Sequence, residues 1–431
     1  MGCQFSSVDD DRDMAIVGRS SHNSFSAPLK KDRYRSISGH TTREKKYQPE
    51  KNNDNEPPEL DKNGHLIPNE VEKRIVRMLS SKINQIGNVT IRHAASSQRG
   101  FYPEDVHKPN QDSYSIDNKF SGACDNSFFA VYDGHGDDGH TCARFAKKKL
   151  PMLMTKYMRQ LRISEAQNLA RNKGEKFVWK PDDWPNLNRQ QCEEISKRAH
   201  LKCNEEIHDS DGVLDAFSGT TSCSALFHSG RIMISNVGDS RAILGKKVEG
   251  SAIPQAPSTP LPLRAIPLSR DQTPIRRDEL ERVKECGARV MTFDQLTGDT
   301  PIDEDWVEEN DQGENINLEG TMPRLWFKDA QNPGTAFTRS IGDSRGEKIG
   351  VIAEPECISV EITKDDRILV IASDGVFEFL TNQEVIDICA KFDDPCHACE
   401  DILAASYKKW LQYENRTDDI TVIVIYLDKK E

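Results

Sequence analysis

Three stretches of this 431-residue chain are apolar almost without a break: Phe128 to Tyr132 (FFAVY), Ile368 to Ala372 (ILVIA) and Ile420 to Leu427 (ITVIVIYL). Short unbroken runs of this kind predict strands covered on both faces. Ile232 to Val237 (IMISNV) is a fourth. It forms the second arm of a predicted hairpin whose first arm is Ser222 to Phe227, with Ser229-Gly230 at the turn. Val89 to Ile91 and Ser113 to Ile116 also read as strands. A spacing of three and four between apolar positions predicts helices over Asn69–Ile83, Thr141–Tyr157, Gln191–His208, Asp278–Gly287, Asn382–Lys391 and His397–Tyr413. Strands linked by hairpins, with helices in blocks between them, predict an α+β domain of stacked antiparallel sheets under helical cover.

The polar positions divide the chain. Residues 1–65 are rich in Ser, Asn, Lys, Arg and Asp and poor in apolar side chains, which predicts a disordered tail. Residues 66–87 read as an amphipathic helix or linker, and residues 88–428 as the folded domain. Within that domain, polar or proline-rich segments near 163–190, 245–267 and 294–320 read as insertions.

A net charge of −12 argues against a general nucleic-acid binder. No run approaches the ~20 apolar residues of a membrane span. Most of the eleven cysteines, which lack a framework spacing, read as reduced, buried apolar side chains. Cys396-x-x-Cys399 has no second pair to complete a zinc site. The N-terminus changes the picture: Met1-Gly2-Cys3-Gln4-Phe5-Ser6 meets the myristoylation signal, with Gly2 as acceptor, and Cys3 is a natural palmitoylation site. The segment 27–51 carries eight Lys or Arg against three acids, a second attraction to anionic lipid. Together these predict a lipid-anchored protein at the cytoplasmic face of a membrane, with a cytosolic pool.

The candidate chemistry lies at strand ends. Phe128–Tyr132 stops at Asp133-Gly134-His135-Gly136, and Ile368–Ala372 at Ser373-Asp374-Gly375. Asp418-Asp419 precedes Ile420, and Gly238-Asp239 follows Val237. Carboxylates gathered this way repel one another unless a cation lies between them. An all-oxygen set suits Mg²⁺ or Mn²⁺ rather than Zn²⁺.

Eight motifs in order carry a resemblance to the metal-dependent Ser/Thr protein phosphatases of type 2C. They are NQD at Asn110–Asp112, FFAVYDGHG, SGTT at Ser218–Thr221, NVGDSRA at Asn236–Ala242, LSRDQTP at Leu268–Pro274, FTRSIGD at Phe337–Asp343, ASDG at Ala372–Gly375 and DDITV at Asp418–Val422. The wording GTAFTRSIGD, GVIAEPE and ENRTDDIT is most similar to a plant and protist branch. The resemblance implies a β-sandwich of two antiparallel sheets flanked by helix pairs, with a two-metal centre at one edge. By motif position, Asp133 would bridge both ions, the Gly134 carbonyl would meet one, and Asp374 and Asp418 would hold the other. Gln111 and Asp112 would orient metal-bound water. Asp239 and Glu378 match a third, weaker metal position. Gln111 stands where an acidic residue often precedes Asp112. No Arg falls near His107, where the family grips phosphate, which leaves His107 or Lys108 as substitutes.

The implied reaction is hydrolysis of phosphoserine and phosphothreonine in proteins by a metal-activated hydroxide. His135 is the candidate acid for the leaving oxygen. Cys-based phosphatase chemistry is unsupported: the one C-x₅-R spacing, Cys192 to Arg198, falls inside the predicted helix Gln191–His208. The expected partners are phosphoprotein substrates and membrane lipid, with no nucleic acid, and a monomer is expected. Two other readings stand beside this one: a non-enzymatic adaptor that keeps the fold, and a hydrolase of small phosphate esters.

Overall fold

The computed structural model describes residues 81–105, 107–123, 125–173, 187–248, 262–300 and 322–429. The chain divides into units 1–50 and 51–431, and every described residue belongs to the second. Eleven strands build its two large antiparallel sheets: β1 (Lys82–Ile86), β2 (Val89–Gln98), β3 (Ser113–Asp117), β4 (Ser127–Tyr132), β5 (Ser222–His228), β6 (Arg231–Val237), β7 (Arg241–Lys247), β8 (Leu263–Pro267), β9 (Glu356–Glu361), β10 (Asp366–Ala372) and β11 (Ile420–Lys429). One sheet has six strands in the order β1-β2-β11-β10-β7-β8, the other five in the order β9-β6-β5-β4-β3. The helices are α1 (Gly139–Lys173), α2 (Arg189–His208), α3 (Arg277–Glu285), α4 (Asn382–Cys389) and α5 (Pro395–Tyr413), with single turns at Phe293–Thr297 and Asp374–Phe377.

The unbroken apolar runs follow from the layering. In β4, Phe129 and Val131 point into the interior between the sheets, while Phe128, Ala130 and Tyr132 point out against α1 and α2. In β11, Ile423 and Ile425 point inward, while Val422 and Val424 meet α4 and α5. Successive side chains on a strand face opposite ways. A central strand with apolar cover on both sides therefore has no polar position left. The result is four layers: helix pair, sheet, sheet, helix pair.

Four boundaries differ from the sequence reading. The predicted helix at 69–83 lies mostly outside the described residues, but its end does not hold: Lys82–Ile86 is strand β1, in register with β2 from Lys82↔His93 to Ile86↔Val89. Asn84 ties this edge to the other sheet through a 2.9 Å hydrogen bond to Ser127 Oγ. Helix α1 runs on to Lys173, through the start of the supposed 163–190 insertion. Ala166 and Ala170 keep a half-buried stripe there that the surrounding polar residues disguise. Both ends of the 245–267 segment are strand, because β7 and β8 pair across it. The 294–320 segment begins in a helical turn capped reciprocally by Thr292 and Gln295. Residues 174–186, 249–261 and 301–321 lie outside the described residues.

Candidate metal centre and active site

The chain after Tyr132 does not simply turn. Gly134 and His135 pair with Thr220 and Gly219, and those residues pair in turn with Ile341 and Gly342. This small sheet joins three of the sequence motifs at one edge of the sandwich. Thr221 Oγ1 accepts the Asp133 N–H at 3.0 Å, and the Thr221 N–H donates to the Asp133 carbonyl at 2.8 Å. Gly134 is packed so closely that a Cβ would lie 2.2 Å from the Gly139 carbonyl oxygen and 2.6 Å from that of Gln111. Only glycine fits there.

The other carboxylates arrive on β10 and β11. Asp374 opens the helical turn after β10, and Asp418 lies two residues before β11. Ser373 Oγ donates to Asp112 Oδ2 at 2.9 Å and accepts the Thr421 N–H at 3.0 Å, locking the two strand ends together. A Cβ on Gly375 would meet the Asp419 carbonyl oxygen at 2.1 Å. Asp419 clamps the loop before β3: one oxygen accepts the Gly100 N–H at 2.6 Å, the other the Gln111 N–H at 2.7 Å. Asp418 Oδ1 accepts from the Tyr102 hydroxyl at 2.6 Å.

Electrostatics shows that these groups converge. Burial, then Asp112, Asp374 and Asp418, push Asp133 well above the usual carboxylate range. Burial, then Asp239 and Asp418, do the same to Asp374. Asp112 is pushed up to about 8 by burial and by Asp419. Asp239 is pushed up to about 6 by burial and by Asp271. Glu378 is raised by burial, Asp239 and Asp418. Asp112 Oδ1 is buried with no hydrogen-bond partner among the described residues. Buried anions of one sign that raise one another, with an orphaned oxygen among them, suit a divalent cation. The donors are all oxygen, as Mg²⁺ and Mn²⁺ require.

The cleft beside this cluster holds about 660 Å³, and its walls include Asp239, Asp374, Glu378 and Asp418 together with Arg324 and Arg416. A family description for protein phosphatase 2C matches residues 96–410, a span that includes Asp112, Asp133, Asp239, Asp374 and Glu378 and ends before Asp418. The chain belongs to the protein phosphatase 2C family. A probable protein phosphatase 2C of Arabidopsis thaliana, number 35, is 40% identical over 79% of this chain and 85% of its own length. Another from that plant, number 72, is 29% identical over 72% of this chain and 79% of its own. Among solved structures, serine-threonine phosphatase 2C from Toxoplasma gondii superposes with a TM-score of 0.57 at 15% identity, covering 82% of this chain and 99% of that one. The fold is thus that of the family. The chain is a protein-serine/threonine phosphatase of type 2C, a family that uses Mg²⁺ or Mn²⁺.

The structure gathers Asp112, Asp133, Asp239, Asp374, Glu378 and Asp418, which the sequence had singled out. Gln111 is near them but otherwise engaged: its side-chain amide donates to the Gly136 carbonyl at 2.6 Å. Lys108 lies with its ammonium 3.9 Å from the centre of the Tyr102 ring, and so within one side chain of Asp418. His107 is exposed, and its N–H bonds Asp105. His135 Nε2 is 2.5 Å from Asp343 Oδ2. Gly2 and Cys3 lie outside the described residues. Cys396 and Cys399 are buried on α5.

Sequence reasoning missed Asp343 and Tyr102, and the places of Asp419, Thr221 and Arg324 in the arrangement. Asp343 and Thr221 stand inside quoted motifs, but nothing in a motif says which atom faces which. Tyr102 and Arg324 carry no local signal at all.

Proposed function

We propose that the chain hydrolyses phosphoserine and phosphothreonine at a centre of two divalent ions, which Asp133 would help to hold. Asp374, Asp418 and the Gly134 carbonyl would complete the set, and Asp239 and Glu378 would offer a weaker third position. The observation that carries this reading is the gathering of buried carboxylates, Asp133 among Asp112, Asp374 and Asp418, and Asp374 among Asp239, Asp418 and Glu378, beside the orphaned Asp112 Oδ1. When bound, the ions supply Lewis acidity and an activated water nucleophile. Asp112 would accept a hydrogen bond from the attacking water and so orient it. Arg324 and Arg416 meet the negative charge of the phosphoryl group at the cleft wall. His135 donates a proton to the leaving serine or threonine oxygen as its bond to phosphorus breaks.

The test is phosphate release from a phosphothreonine peptide with Mn²⁺ or Mg²⁺, with chelator, and with Asp133→Asn. Turnover that both controls abolish supports the reading. A folded protein without turnover points to the adaptor, and preference for small phosphate esters points to the third reading.

The site of action is proposed to be a membrane surface, through acyl groups on Gly2 and Cys3. The six-residue N-terminal match and the basic segment support it. Gly2→Ala should move the protein to the soluble fraction; unchanged membrane fractionation refutes the anchor.

A further inference from the structure

His135 is held more tightly than a residue at a turn needs to be. Its Nε2 meets Asp343 Oδ2 at 2.5 Å, and Asp343 is only 1% exposed. The Phe337 ring lies tilted against the imidazole, with centroids 4.2 Å apart. On another side lies Gly219. A Cβ there would be 2.2 Å from Asp343 Oδ2 and 2.8 Å from His135 Nε2. Only a glycine leaves room for the pair.

Asp343 is itself placed at some expense. Its φ is +51°, in the left-handed region that non-glycine residues rarely adopt. The chain on both sides is pinned: Gly342 N–H to Asn204 Oδ1 at 2.8 Å, Asp343 N–H to the Ser218 carbonyl at 2.9 Å, and Ser344 N–H to the Asp215 carbonyl at 3.0 Å. Its second oxygen, Oδ1, is buried with no hydrogen-bond partner among the described residues. A buried carboxylate with strained backbone and one unsatisfied oxygen is a poor device for stability alone.

We infer that Asp343 is a positioning residue: it accepts the Nε2–H of His135 and fixes the ring so that Nδ1 is the nitrogen presented to the leaving oxygen. A carboxylate on the far nitrogen of a histidine sets both tautomer and orientation. The arrangement links the FTRSIGD motif to the DGHG motif across 208 residues through one hydrogen bond. The inference rests on the reading of His135 as proton donor, and the test separates the two.

Full-length protein with Mn²⁺ is assayed on a phosphothreonine peptide, whose alkoxide leaving group needs a proton, and on p-nitrophenyl phosphate, whose leaving group does not. His135→Gln, Asp343→Asn and the double variant are compared. Asp343→Asn should lower kcat on the peptide about 10- to 100-fold, lower it on p-nitrophenyl phosphate several times less, and leave KM nearly unchanged. The double variant should be no slower than His135→Gln. Selective loss with His135→Gln but not with Asp343→Asn overturns the positioning role alone. Equal loss on both substrates with His135→Gln overturns the proton-donor reading, and the positioning role falls with it. Should Asp343→Asn fail to fold, imidazole ¹⁵N spectra of the wild type decide: a protonated Nε2 on His135 supports the inference, and an unprotonated one overturns it.

Discussion

Asp112→Asn tests the electrostatic reading of the centre without any substrate. Asp112 is 7% exposed, and its pKa is raised from the ordinary 3.8 to about 8. Its folded-state value lies above its unfolded value, so the contribution of the group is most favourable at low pH and is lost as pH rises from 3.8 through 8. Across that window the unfolded chain is ionised while the folded chain holds a proton, at ~1.4 kcal/mol per pH unit. Asn is neutral in both states, and its oxygen can still accept from Ser373 Oγ, which bonds Asp112 Oδ2 at 2.9 Å. The variant should therefore gain on the wild type as pH rises, by at most ~1.4 kcal/mol per unit and on the order of 3–4 kcal/mol between pH 5 and 8. The assay is urea unfolding in chelator at several pH values, with the m-value monitored for two-state behaviour. Saturating Mn²⁺ should reverse the order, because the wild-type carboxylate then has a cation beside it. A stability difference that does not change with pH refutes the claim that these carboxylates repel one another in a buried site.

Three other outcomes follow from particular contacts. Glu279, 2% exposed, bonds Arg339, Arg282 and Thr338. Glu279→Gln leaves buried guanidinium charge uncompensated and should cost about 3–5 kcal/mol in urea unfolding; a cost under about 1 kcal/mol refutes the network. Its pKa is lowered to about 2 despite burial, by hydrogen bonds from Arg339 and Arg282, so its stabilisation is present above pH 4.5 and is lost only as pH falls through 2. His208 is raised to about 9 by its hydrogen bond to Glu347 and, against its partial burial, by Asp215. Its contribution is full below pH 6.5 and lost as pH rises through 9, and Glu347→Gln should flatten that alkaline slope of Tm. Gly134→Ala would drive a Cβ to 2.2 Å from the Gly139 carbonyl. It should abolish phosphatase activity and the Tm increase on adding Mn²⁺, and normal metal stabilisation would show that the Gly134 backbone is not confined.

Much of the carboxylate cluster was legible because its signal is local. A strand that is apolar on both faces has to end somewhere, and a carboxylate at that end is conspicuous against it. Asp133, Asp374, Asp418 and Asp239 stood out for that reason, and the motif order named the family. The layers were legible too, since only strands covered on both sides lack polar alternation. Helix α1 was read short because a half-buried stripe beside a polar face leaves little signal. At Lys82–Ile83 the local pattern suits a helix, but pairing with β2 makes this edge a strand.

What the residues alone could not show is which distant atoms meet. Asp343 and His135 are far apart in the chain, and the left-handed turn that aims Asp343 depends on contacts from Ser218, Asn204 and Asp215. Asp419 reads as a twin of Asp418, yet it spends both oxygens on the backbone of Gly100 and Gln111. Adjacent residues entering a strand point opposite ways, so one carboxylate joins the cluster of buried carboxylates and the other becomes a clamp. The residue types, and the charge they would bring together, are written in the sequence. Their division into a buried cluster, backbone clamps and a histidine partner is set by the packing of two sheets, which the sequence specifies only through the whole chain at once.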